Sequence, residues 1–138
     1  MRIRRLTVLD EQGLFNLLKE KLVFDLKQTE QFHYSDCFSS TKYLIAELKC
    51  RRVHYDELII EQSKYNKLMS NNNDWEIRYI NSTPIGIYSF DLRRIEEPKW
   101  FLKDCKKTTD FEDNSYTPKI VGMLDIKQAI NITKLLLT

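Results

Sequence analysis

The amino-acid sequence predicts a single mixed α/β domain, and three patterns carry that expectation. Leu14, Phe15, Leu17, Leu18 and Leu22 recur at the spacing of one helix face. Residues 43–51 form a short apolar run of strand length. Residues 56–70 read as a second helix, and two β-rich segments follow it at 75–81 and 85–92.

Taken in order, the first helix covers residues 9–22, with Asp10 as its expected N-cap. Residues 23–35 alternate roughly, with Phe24, Leu26, Phe32 and Tyr34 as the apolar positions, and read as extended chain. Ser39, Ser40, Thr41 and Lys42 look like a turn before the strand at 43–51. In the second helix Leu58, Tyr65 and Met69 lie at core spacing, with Gln62 in the same stripe. The polar run Ser70, Asn71, Asn72, Asn73 and Asp74 ends it. Ser82, Thr83 and Pro84 join the next two strands as a hairpin. Residues 93–118 read as irregular and polar, anchored by Trp100 and Phe101. A last strand is expected at 119–124. A closing helix is expected at 125–137, with Ile126, Ala129, Ile130 and Thr133 on one side.

The 138 residues suit one domain, with a core at roughly 9–92 and a C-terminal extension at 93–138. Apolar residues make up 42%, enough to build a core. A net charge of +2 is too small for a histone-like binder but allows a local basic patch. No stretch approaches the ~20 apolar residues of a membrane helix. The basic start, Met1 to Arg5, is not followed by the apolar run and cleavage site of a signal peptide. Cys37, Cys50 and Cys105 make no CxxC pair, and His33 and His54 stand apart, which argues against a structural zinc site. Reduced thiols and a cytoplasmic location are the matching expectation. The abundance of Lys, Asn, Ile and Tyr beside only three Gly and three Pro is associated with AT-rich coding, as in many phages and low-GC bacteria.

The sharpest feature is Glu47 and Lys49 inside the apolar strand, with Asp36 a hairpin away. Alternate residues of a strand share a face, so Glu47 and Lys49 point the same way and Leu48 points the other. Buried charge is costly unless it is paired or holds a metal. Two carboxylates can hold Mg²⁺ through hard oxygen ligands, with the Leu48 carbonyl as a further donor, and a lysine can offset charge on a phosphate. This points to a divalent-metal site that cuts phosphodiesters. A Cys50 thiolate with His54 as base is the weaker rival, because Cys50 faces away from Glu47.

Asp36 followed by Glu47, Leu48 and Lys49 resembles the PD-(D/E)xK nuclease superfamily, in the form found in phages and mobile elements. The resemblance covers about residues 9–92. It implies a restriction-endonuclease-like mixed β-sheet flanked by helices, with Asp36, Glu47 and Lys49 as catalytic residues. It also implies Mg²⁺, or Mn²⁺, as cofactor, DNA as substrate, a homodimer as the assembly that many small members use, and no membrane partner. The first helix of that superfamily often adds an acidic ligand, for which Glu20 is favoured over Glu11. Its second helix often carries a polar residue at the site, here Gln62, although Glu61 to Tyr65 matches the QxxxY spacing better. Tyr34 and Ser35 stand where many members have a proline before the aspartate. Arg51, Arg52, Lys64 and Gln62 are the candidate nucleic-acid contacts.

Plainer readings stand beside each of these. Glu47 and Lys49 can form an exposed ion pair on an edge strand, and Asp36 can be a turn residue. Gln62 and Glu20 can sit on solvated helix faces, and the basic residues can be ordinary surface. The alternative function is a catalytically inactive protein of the same fold, serving a phage as a nucleic-acid-binding, structural or interaction module.

Overall fold

The computed structural model describes residues 9–30, 33–71, 74–106 and 115–137. The expected basic start Met1 to Arg5 lies outside them, as do Phe32, Asn72 and Asn73. The side chains of His33, Tyr34 and Ser35 are likewise outside the description.

Helix α1 (Glu11–Lys21) begins where Asp10 Oδ1 accepts a 2.7 Å hydrogen bond from the Gly13 amide. It buries Leu14, Phe15 and Leu18 on one face. Strands β1 (Lys27–Glu30), β2 (His33–Ser39) and β3 (Leu44–Cys50) follow as an antiparallel meander. The turn before β3 is tied down by Asp25, which accepts from Ser39 Oγ at 2.6 Å and from the Thr41 amide at 3.1 Å. Strand β4 (Glu57–Glu61) leads directly into α2 (Gln62–Met69). Strands β5 (Glu76–Thr83) and β6 (Gly86–Asp91) form the expected hairpin. They are followed by β7 (Phe101–Lys106), β8 (Tyr116–Asp125), β9 (Ile130–Asn131) and α3 (Thr133–Leu136).

Two sheets result. One has six strands in the order β1-β2-β3-β5-β6-β9, and the other has three in the order β4-β8-β7. Strand β5 runs parallel to β3, with α2 in the crossover between them, while the other pairs are antiparallel. Both faces of the large sheet are covered. Leu14, Leu18, Leu26, Cys37, Ala46 and Leu48 pack between α1 and the sheet. Leu58, Ile60, Tyr65, Ile77, Tyr79 and Phe90 pack beneath α2 and the small sheet. Each fully buried Leu or Ile contributes about 1.5–3 kcal/mol.

Three sequence expectations change. Residues 56–70 are not one helix. Leu58 and Ile60 are buried while Glu57 is exposed, and this alternation lets 57–61 pair with β8. The irregular segment contains β7, whose pairing with β8 comes from beyond any local pattern. The closing helix dissolves into a 3₁₀ turn at Ile126–Gln128, the two-residue β9 and the short α3. Ile130 there is exposed, because its backbone completes the edge of the large sheet beside Ser89.

Trp100 is an anchor as expected, with its ring 5.2 Å from that of Tyr65 on α2, whereas Phe101, expected to be the other, is exposed at the start of β7. Its approach to β8 needs Gly122, where an added Cβ would lie 2.7 Å from Pro98 Cβ and 3.1 Å from the Trp100 ring. No helix among the described residues is long and apolar enough to cross a membrane.

Candidate functional site

Strand parity assigns the two faces of β3. Ala46 and Leu48 point toward α1, while Ile45, Glu47 and Lys49 share the face turned toward α2. On β2, Asp36 lies directly opposite Glu47. Side chains so paired have Cβ atoms about 4.5–5.5 Å apart. On β5, Tyr79 lies beside Glu47 and Asn81 beside Lys49. Asp36, Glu47 and Lys49 therefore meet on one patch of the sheet.

Glu47 is almost fully buried, at 5% exposure. Burial and the neighbouring Asp36 carboxylate push its acid up to about 8, against the opposing pull of Lys64. Lys64 Nζ lies 3.4 Å from Glu47 Oε1. Glu47 Oε2 is buried and has no donor in good hydrogen-bond geometry, while the Glu47 carboxyl and the Asp36 carboxyl share a side-chain hydrogen bond. Leaving such an oxygen unmatched costs about 1–3 kcal/mol.

Lys49 is partly buried, and burial followed by the charge of Arg51 lowers its pKa. Glu11, Glu61 and Glu47 pull the other way. Burial also disfavours the Lys64 ammonium, yet Glu47 and Asp36 outweigh it and hold that pKa raised.

The remaining expected site residues divide. Glu20 is exposed on α1, and α1 packs on the face opposite Glu47. The acid of α1 whose charge reaches Lys49 is Glu11, at the start of the helix. Leu48 buries its side chain away from the site, so only its backbone carbonyl could take part. Gln62 is partly buried in the first turn of α2, two residues before Lys64. Arg52 is exposed beyond the end of β3.

Arg51 was expected at phosphate but points into the protein. Its Nε donates to Asn81 Oδ1 at 2.9 Å, and its Nη2 donates to Tyr79 Oη at 3.0 Å and to the Ile59 carbonyl. Tyr79 Oη in turn donates to Ile59 O at 3.0 Å. The guanidinium thus ties β3, β5 and β4 together.

Two residues that the sequence marks only weakly join the site: Glu61, by its spacing to Tyr65, and Lys119, as one of the late-loop lysines that could clamp nucleic acid. Glu61 precedes α2 and pairs with Lys119 at 2.6 Å, and its charge acts on both Lys49 and Lys64. The spacing of Glu61 to Tyr65 was the only local signal for it. Nothing local in the sequence joins Lys119 to this patch.

The cysteine rival has no support from geometry. Burial pushes the Cys50 thiol up to about 12, and His54 Nδ1 lies 2.9 Å from Thr83 Oγ1.

Among the described residues no group of three or more His, Cys, Asp or Glu side chains is gathered to hold a metal ion. Asp36 and Glu47 supply two carboxylates. Mg²⁺ is commonly bound through one or two carboxylates with water and phosphate completing its shell. The unmatched, buried Glu47 Oε2 suits a hard cation, so the donor set fits such an ion. No family model matches the chain, and neither a curated protein nor a solved structure shows significant similarity to it.

Proposed function

We propose that this protein is a Mg²⁺-dependent nuclease of restriction-endonuclease-like fold that hydrolyses DNA phosphodiester bonds. The observation that carries the reading is the direct pairing of Asp36 with Glu47 across β2 and β3, with Lys49 on the same face. The order of α1, three antiparallel strands, α2 and a strand parallel to β3 supports it. In this reading β4 is an insertion ahead of α2, and the small sheet is built upon it.

Asp36 and Glu47 would hold the ion. When bound, Mg²⁺ would polarise the scissile phosphate and lower the pKa of an attached water. Glu47 must release its proton to serve as a ligand, and Lys64 favours that release. Lys49 Nζ, on the same face, donates to a phosphate oxygen as charge grows there. The hydrophobic residues beneath α2 exclude water from the rear of the patch.

The test is a cleavage panel of single-stranded, duplex, flap and four-way-junction DNA with Mg²⁺, Mn²⁺ or EDTA. Cutting is expected with metal, absent in EDTA, and lost in Glu47→Ala and in Lys49→Ala while DNA binding survives. Cleavage retained by either purified variant refutes the assignment. The Lys64–Glu47 contact favours a second reading, in which the ammonium already neutralises Glu47 and the fold binds nucleic acid without cutting it. Duplex binding with no cleavage of any substrate would select that reading.

A further inference from the structure

Strand β8 is ten residues long, but β4 pairs only with its second half, from Val121 to Asp125. Residues 116–120 pair with β7 alone among the described residues. The β7–β8 ribbon therefore runs past the body of the small sheet by five residues, about 17 Å at ~3.4 Å per residue. An isolated two-stranded ribbon is marginal in water, so a projecting one calls for a purpose beyond stability.

The two faces of this ribbon differ. Leu102, Asp104, Tyr116 and Ile120 share one. Phe101, Lys103, Cys105, Thr117 and Lys119 share the other, where lysines are the only charged residues among those described. Lys103 and Lys119 stand directly opposite each other. Like charges in that position destabilise a sheet. Glu61 relieves Lys119 from the neighbouring strand, whereas Lys103 is exposed. The same Glu61 sits at the head of α2, so the lysine face begins at the edge of the Asp36–Glu47 patch.

We infer that the β7–β8 ribbon is a duplex-DNA arm whose Lys103–Lys119 face holds the phosphate backbone beside the Asp36–Glu47 site. With Lys119 offset by Glu61, the exposed Lys103 ammonium is the group that takes a phosphate, and a two-stranded ribbon is of a size that the major groove admits. The arm rests on the nucleic-acid part of the proposed function and is independent of hydrolysis.

The full chain is titrated with a short labelled duplex, and with single-stranded DNA, in EDTA over a range of salt. Lys103→Gln is expected to weaken duplex binding about five-fold near physiological salt and to lower the slope of log K against log salt by about 0.9. Lys103→Glu is expected to weaken it further. Both variants should melt at or slightly above the wild-type temperature, since Lys103 is exposed and its replacement relieves the repulsion with Lys119. Unchanged affinity and slope in both, no duplex binding by the wild-type chain, or equal loss on single strands would overturn the arm. So would a change confined to self-association, which would mark the ribbon as a protein interface. Binding that depends on Lys103 without any cleavage would sink the nuclease and leave the arm. Metal-dependent cleavage together with a duplex affinity indifferent to Lys103 would do the reverse.

Discussion

Glu47→Gln isolates the electrostatic cost of the site. The amide keeps the shape of the side chain and cannot ionise. In the native protein, burial and Asp36 carry the acid from an ordinary 4.5 to about 8. At about 1.4 kcal/mol per pH unit, that is on the order of 5 kcal/mol between the two protonation states. Because the folded pKa is raised, the contribution to stability is fully present below about pH 4.5 and is lost as the pH rises through 8. Wild type should therefore lose about 3 kcal/mol relative to Glu47→Gln between pH 5 and 7.5, a relative Tm shift of about 10 °C. The assay is urea or thermal unfolding of both proteins at several pH values. Mg²⁺ added near pH 8 should recover stability in the wild type by mass action and leave Glu47→Gln unmoved. Parallel pH profiles for the two proteins would refute the argument, since Glu47 would then carry no raised pKa in the folded state.

Two further perturbations test the frame around the site. Arg51→Ala removes three hydrogen bonds that join β3, β4 and β5 and should destabilise the fold by about 3 kcal/mol. The salt slope of DNA binding should be unchanged, and a loss of slope would return Arg51 to the phosphate-contact role expected from the sequence. Gly122→Ala drives a Cβ into Pro98 and should cost about 1–3 kcal/mol, read as a lower urea midpoint. A neutral result would show that the 93–100 segment does not rest against β8 in solution.

The site is an economy of opposed charges. Arg51 lowers the pKa of Lys49, and Asp36 raises that of Glu47. Lys64 lowers the pKa of Glu47 and is itself held charged by that partner. Clustering of this kind works against stability, because a hydrophobic strand would pack the same space without desolvating charge. Its presence on a core strand is the reason to look there for chemistry.

The amino-acid sequence specifies those elements whose signals are local. Helix α1 was legible from its cap and its apolar stripe, β3 from its apolar run, and β5–β6 from a hairpin turn between β-rich segments. It also determined that Glu47 and Lys49 share a face, because strand periodicity needs no partner. What covers that face depends on contacts between distant segments of the chain. Arg51 has the same parity as Lys49, and strand geometry alone cannot distinguish an open surface from one roofed by β4. Residues 57–61 satisfied a helical spacing through Leu58 and Gln62, and became a strand because β8 offered a ladder. The sequence favoured Glu20 over Glu11, and the packing of α1 reversed the choice by carrying Glu11 toward Lys49 and leaving Glu20 exposed. The Lys64–Glu47 and Lys119–Glu61 pairs join segments that no local pattern connects. Parity, caps and turns act over a few residues, whereas register, burial and charge pairing are set by chain that arrives from far away in the sequence.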